Sequence, residues 1–349
     1  MRALEIERAG TPVLPNVRFT RDRAEPTPAA GEALVRTEAS ALNHLDLWVG
    51  RGLPGVKTSW PFVSGSDGAG IVAAVGAGVD PSWVGRRVLL NAAVQRRHDE
   101  RPDSIAAGEQ IEMIGEHRPG TLAELFTAPV SNLLDIGDLD PVEAAAFGLT
   151  HLTAWRMLIT RGNAKPGEFV LIPGIGGGVA LAAHGIAKWL GCVTIVSSRS
   201  AGKLARAKEL GADHAILDTG TDWSKEVRSL TNRRGVELCI DSVGAAIHPQ
   251  CLRCLCRGGR FVTCGATSGG DAVTDLTRVF WNQLSILGST MGSMSEFRAV
   301  VALLRAGAVR PVIDQVSPAE RGATAFGRLE RGDHFGKVVV DWRASGRRG

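Results

Sequence analysis

The residues best suited to chemistry lie in residues 168–180, EFVLIPGIGGGVA, and in the ten that follow, LAAHGIAKWL. A short apolar run ends in a glycine-rich turn, and the turn opens into a stretch whose apolar residues recur at helical spacing. The segment reads as strand, phosphate loop and helix. Such a turn acts through its backbone: without Cβ atoms the chain can approach a pyrophosphate closely. The N–H groups and the positive end of the helix dipole then hold the anion. A strand before the turn and a helix after it are the context that dinucleotide binding requires.

A second position lies roughly twenty residues on, where an acid at the end of the next strand would bind the ribose 2′-hydroxyl of NAD. That strand, residues 192–198 (CVTIVSS), runs into Arg199, Ser200 and Lys203 with no Asp or Glu among them. Arg199 offers a planar fork of donors to a 2′-phosphate, Lys203 a point charge, and Ser197 and Ser198 hydroxyls. The pattern predicts NADPH rather than NADH.

The elements that must carry these residues belong to a chain of 349 residues, enough for about two domains. With 44% hydrophobic and 22% charged residues, the composition is that of a globular protein. A net charge of +4, with its basic residues scattered, argues against nucleic-acid or membrane partners. The start, MRALEIERAG, lacks the apolar core of a signal peptide, so a cytoplasmic enzyme acting on a small molecule is expected. All six cysteines fall in the second half, at 192, 239, 251, 254, 256 and 264. Residues 249–257 read as helix, which puts Cys251 and Cys254 on one face and Cys256 elsewhere. No fourth ligand is near in sequence, so these are expected to be buried, reduced thiols rather than a metal site.

Up to about residue 136 the pattern is strand-like and punctuated by glycine. Residues 33–42 read as a half-buried strand, 43–49 as a short helix, and 63–79, VSGSDGAGIVAAVGAGV, as strands bending around a small barrel. Residues 85–90 and 120–129 read as further strands, separated by a polar lobe at 91–115. Residues 140–161 read as a helix pair leading out of the first domain. Beyond the glycine-rich turn, helices at 201–211, 222–231 and 245–257 alternate with strands at 214–217, 236–241, 260–264 and 285–290. That alternation predicts a doubly wound parallel sheet. The tail reads as a helix at 296–306, a strand at 311–316, a helix at 319–329 capped by Ser317, and a strand at 336–341 that completes the first domain.

This order, with GIGGGVA, ALNHLDLWVGRG, GSDGAGIVAAVGAGV, GTLAEL, LTAWRML and LGSTM, resembles the medium-chain dehydrogenase/reductase superfamily over essentially the whole chain. The phosphate loop, with Gly174, Gly177 and Ala180, is similar to that of the quinone-reductase branch. The resemblance implies an α/β protein with two domains. One is a chaperonin-10-like (GroES-like) small β-barrel domain, residues 1–136 completed by 297–349. The other is a Rossmann dinucleotide-binding domain, residues 137–296. Ser198 stands where NAD-dependent relatives carry aspartate, in agreement with NADPH. The resemblance also implies cofactor contacts from Thr153, Gly178, Val179, Arg199, Lys203, Ser242, Gly265, Ala266, Thr267, Gly288, Ser289 and Lys337, and a homodimer formed through the strand containing 287–290.

Zinc-bearing relatives place a cysteine, a histidine and a further cysteine or aspartate at positions that fall on Asn43, Ser66 and Leu149. None of these is a good zinc ligand in that role, and the lobe at 91–115 holds no cysteine. Both metal sites are therefore expected to be lost. The implied chemistry is hydride transfer from NADPH to a quinone, enone or related carbonyl. Zinc-free relatives often place a tyrosine near the cofactor, but this chain has none. Asn43, His44 and Asp46 are the catalytic candidates for hydrogen bonding or proton delivery, with Asp67 and His151 behind them. Alternatives are a zinc-type alcohol dehydrogenase using His44, Asp67 and His151, or a catalytically idle NADPH-binding sensor or structural protein.

Overall fold

The computed structural model describes residues 1–95 and 111–343. Most of the polar lobe expected at 91–115 lies outside the described residues. The chain divides into two compact units: Met1–Leu149 with Ser293–Arg305 and Pro311–Gly349, and Thr150–Gly292 with Ala306–Arg310.

In the second unit, short Val- and Ile-rich runs form a six-stranded sheet whose pairings are all parallel. Its order is His214–Leu217, Val193–Ser198, Phe169–Ile172, Val236–Asp241, Leu255–Thr263 and Ser285–Gly288. The strand order reverses at Phe169–Ile172, the switch point at which doubly wound sheets receive ligands. The strand residues Leu171, Ile195, Ile216, Cys239 and Phe261 join Cys251, Cys254 and Val227 of the helices in one buried core. Burial in that core pushes the thiols of Cys239 and Cys254 well up, so they behave as small apolar side chains.

Three expectations are corrected. The helix at 245–257 is shorter, His248–Cys254, because Leu255 pairs with Val236 and opens a nine-residue strand that includes Cys256. The expected helix pair is a single run: Pro141–Trp155 continues without a break into one π-helical stretch, Arg156–Arg161. Ser317 does not cap a helix but lies in the strand Ile313–Pro318, and the helix Gly322–Arg331 follows a 3-10 turn with no side-chain cap.

In the first unit, the ten-residue strand Glu32–Ala41 is the hub of a seven-stranded sheet. It pairs antiparallel with Gly68–Val75, with Leu125–Pro129 near its start, and with Lys337–Asp341 near its end. Gly70 permits the close approach of the first two strands, since a Cβ there would lie 2.1 Å from the carbonyl oxygen of Arg36. Val339 pairs with Ala41, and the N–H of Leu42 donates to the carbonyl of Val338 at 2.9 Å. The C-terminal strand is thereby built into the core formed by Leu4, Ile6, Leu42, Leu47, Phe326 and Val340. That register brings Lys337 beside Asn43.

Candidate active site

The glycine-rich turn of the second unit is held by the N–H of Ile175, which donates to the carbonyl of Ser197 at 2.8 Å. Gly174 has φ +70°, and a Cβ on it would press within 2.8 Å of Val243 Cγ2. Gly177 differs. It is the N-cap of the helix Gly178–Trp189, makes no side-chain cap, and a Cβ on it would meet no atom nearer than 3.9 Å. Open space thus faces the helix start, where Gly178 and Val179 belong to a first turn whose N–H groups have no intrahelical acceptor. An anion fits such a cradle.

At the end of the neighbouring strand, Ser198 Oγ accepts the N–H of Ser200 at 3.2 Å, and Ser200 Oγ accepts the N–H of Lys203 at 3.3 Å, capping the helix Ala201–Glu209. The intervening Arg199 is exposed, and Lys203 is half-buried. Further along the sheet the strand-end loops are tied together. Thr267 donates from Oγ1 to the carbonyl of Ser242 at 3.1 Å, Thr263 to that of Gly265 at 3.2 Å, and the N–H of Ser289 to the carbonyl of Thr263 at 2.9 Å. Ala266 packs under Gly244, whose added Cβ would lie 2.8 Å from Ala266 Cα. The carbonyl of Gly288 accepts from Arg161 Nε at 2.8 Å. Asp241 accepts the N–H groups of Val243 and Gly244, and burial raises its carboxyl above the ordinary range. Two buried hydroxyls, Thr153 Oγ1 and Ser289 Oγ, have no hydrogen-bond partner among the described residues. Each is an orphan of the kind that a bound polar ligand satisfies.

The first unit holds a different arrangement. Asn43 is the N-cap of the helix His44–Arg51, and Asp46 reaches back to its N–H with Oδ2 at 2.7 Å, closing a capping box. The Asn43 amide donates from Nδ2 to Asp67 Oδ2 at 2.9 Å and accepts on Oδ1 from Lys337 Nζ at 2.6 Å. Lys337 Nζ also pairs with Asp67 Oδ2 at 2.8 Å. Asp67 Oδ1 accepts the N–H of Leu149 at 2.6 Å, and Gly148 leaves room for this, since a Cβ there would stand 2.5 Å from the same oxygen. Ser66 Oγ donates to the carbonyl of Ile114 at 2.8 Å. Burial raises the Asp46 carboxyl to about 6, against the opposing pull of the hydrogen bond from the Asn43 N–H and of the Lys337 charge.

The expected site residues therefore fall into two groups. Thr153 and the candidate cofactor residues from Gly174 to Ser289 lie in the second unit, while Asn43, His44, Asp46 and Lys337 lie in the first. The His44 ring lies 6.1 Å from that of His334. His151 is buried, with Nδ1 3.3 Å from Thr150 Oγ1. The position of Lys337 was not legible from local spacing, because it meets Asp67 across 270 residues of chain.

The alcohol dehydrogenase GroES-like domain family matches residues 29–138, and the zinc-binding dehydrogenase family matches residues 178–306. A zinc-type alcohol dehydrogenase-like protein from Leptosphaeria maculans is 32% identical over 334 residues, spanning 91% of this chain and 92% of that protein. The chain belongs to the medium-chain dehydrogenase/reductase superfamily. This dehydrogenase/reductase is also 27% identical over 348 residues to a quinone oxidoreductase from Lama guanicoe, spanning 97% of each chain. A crystal structure described as an NAD-dependent alcohol dehydrogenase matches it with a TM-score of 0.88 at 38% identity, over 98% of this chain and 99% of that one. The protein is an oxidoreductase of the alcohol dehydrogenase and quinone oxidoreductase type, with the GroES-like and Rossmann folds that its resemblance to the superfamily implies.

Proposed function

We propose that this oxidoreductase uses NADPH to reduce a quinone, enone or related carbonyl compound without a catalytic zinc. The observation that carries the cofactor reading is the end of the strand Val193–Ser198, where an exposed Arg199 follows Ser198 and no Asp or Glu occurs from Ser198 to Lys203. The cradle at Gly177 fits the pyrophosphate, and the unpartnered hydroxyls of Thr153 and Ser289 fit polar groups of the same cofactor. NADPH supplies the hydride when bound. The chain's part is to hold the cofactor's phosphates through Arg199, Lys203 and the helix start.

The first-unit cluster supports the zinc-free part of the reading. Asn43 has its amide engaged on both sides, Ser66 is turned to a backbone carbonyl, and Leu149 offers only an N–H, which Asp67 takes. Lys337 pairs with the Asp67 carboxylate, so that acid is already matched by a charge and is not free for a cation. These residues do not fit a zinc ion.

A homodimer belongs to the same proposal. The edge strand Ser285–Gly288 and the adjoining helix Leu276–Asn282 leave Leu276, Phe280, Trp281 and Ile286 exposed. Exposed apolar side chains on a sheet-edge strand and the helix before it suit pairing with a second copy.

The test is a titration of purified protein with NADPH and with NADH, followed by tryptophan fluorescence. Trp189 is 45% exposed and lies 6.1 Å from the Trp155 ring, so the nucleotide unit carries its own reporters. Tighter binding of NADPH is expected, with Arg199→Ala losing about 10–100-fold for NADPH and little for NADH, the worth of a charge-assisted hydrogen bond. Equal binding of the two cofactors overturns the NADPH reading. Stoichiometric zinc that leaves together with activity overturns the metal-free one.

A further inference from the structure

We infer that Ser268 is a positioning residue of the cofactor site: its hydroxyl pins residues 264–269 to residues 242–246, so that the shelf for the nicotinamide half is already formed in the free protein. The inference rests on the dinucleotide reading and lies wholly within the second unit.

On that reading, sheet order gives the direction in which the nicotinamide half runs. The phosphate cradle follows the strand Phe169–Ile172, and Arg199 follows its neighbour Val193–Ser198. A dinucleotide held at those two points continues the opposite way, over the ends of Val236–Asp241 and Leu255–Thr263. Strands in a sheet are about 4.8 Å apart, so these ends stand about 5 and 10 Å beyond the cradle, within reach of a ribose and a nicotinamide ring.

The segments that leave those ends have little burial to hold them. Residues 264–270 read CGATSGG, with three glycines, and 266–270 are all exposed. Glycine-rich backbone loses much freedom when it is ordered, and exposed backbone has few apolar contacts to offset that loss. Hydrogen bonds supply the order instead. Ser268 Oγ donates to the carbonyl of Val243 at 2.7 Å and accepts the N–H of Ala246 at 3.0 Å, while its own N–H reaches the Val243 carbonyl at 2.7 Å. The N–H of Ala245 donates to the carbonyl of Gly269 at 3.0 Å.

The facing segment has its own anchors. Asp241 Oδ1 accepts the N–H of Val243 at 2.9 Å, and Val243 Cγ2 stands where a Cβ on Gly174 of the phosphate turn would meet it at 2.8 Å. Residues 242–246 are thus set against the phosphate turn, and Ser268 extends that placement to 264–269. Its one hydroxyl hydrogen is engaged within the chain, so Ser268 acts through Gly265, Ala266 and Thr267 rather than by touching the cofactor. A shelf ordered in advance removes the cost of ordering it when the cofactor binds.

The experiment is calorimetric titration of the full chain with NADPH and NADH, and with their adenosine ends, 2′,5′-ADP and 5′-AMP, which lack the nicotinamide half. Ser268→Ala is expected to weaken NADPH and NADH by the same factor, about three- to tenfold, the worth of one neutral hydrogen bond, and to leave the adenosine ends unchanged. Ser268→Thr keeps the hydroxyl and should restore affinity. Ala246 is exposed, so water can take over its N–H and the denaturation midpoint should not move. In the cofactor-free protein, amide exchange over residues 264–270 should be faster in Ser268→Ala than in the unaltered chain. A merely structural role would shift the midpoint and every ligand together. Unchanged NADPH and NADH affinities in Ser268→Ala overturn the inference, as do equal losses for the cofactors and their adenosine ends, or exchange over 264–270 that is alike in both proteins. An unaltered chain that binds none of the four ligands overturns the dinucleotide reading itself, and this inference with it.

Discussion

Among individual residues, Asp46 has the clearest dependence on pH. Complete burial holds its folded-state pKa at about 6, above the ordinary 3.8. The folded chain therefore binds this proton more tightly than the unfolded chain does. Stability from the group is full below about 3.8 and is lost as pH rises through about 6, a change of about 3 kcal/mol. Asparagine in its place can still accept the N–H of Asn43 and cannot ionise. Asp46→Asn should therefore gain stability relative to the unaltered protein on going from pH 4 to pH 7, measured by denaturant unfolding at the two pH values. A difference that does not change with pH would contradict the assignment. The same burial makes Asp46 a positioning residue that fixes Asn43, rather than a group open to substrate.

At the scale of the element, the glycine-rich turn separates two uses of the same residue type. Gly174 serves the chain itself, through its positive φ and its closeness to Val243. Gly177, with ordinary φ and open space beside it, leaves room for something the chain does not supply. Gly174→Ala should destabilise the fold by about 1–3 kcal/mol. Gly177→Ala should cost about 1 kcal/mol or less, yet weaken NADPH binding about tenfold. Denaturation and fluorescence titration on both variants check this, and unaltered NADPH affinity in Gly177→Ala would remove the turn from the cofactor site. The strand, turn and helix were legible because each depends on near neighbours: apolar run, glycines, helical period. Leu255 was not. Its local spacing continues the helical pattern of Cys251 and Cys254, and only pairing with Val236 pulls it into the sheet.

At the scale of the whole molecule, the exposed aromatic residues of the helix Leu276–Asn282 bear on assembly. Trp281 is 71% exposed and Phe280 66%, side chains that a solitary subunit would leave in water at a cost. Light scattering on a sizing column should report a dimer, and Trp281→Glu should shift it toward monomer without unfolding the sheet. A monomeric unaltered protein would remove the dimer. Among the described residues no helix is long and apolar enough to cross a membrane.

By itself the sequence determined what rests on periodicity and on residues close together: the alternating strands and helices of the nucleotide unit, the phosphate turn, the acid-free strand end at Ser198 and Arg199, and the helix that begins at Asn43. Set beside the zinc-bearing relatives it resembles, it also shows Asn43, Ser66 and Leu149 at the positions of their ligands. Tertiary structure alone decided where Lys337 goes. Strand pairing between the two ends of the first unit carries its ammonium to Asn43 and Asp67. Neither its neighbours in sequence nor its own chemistry specify those partners, since a buried charge takes its meaning from the groups that the fold sets around it.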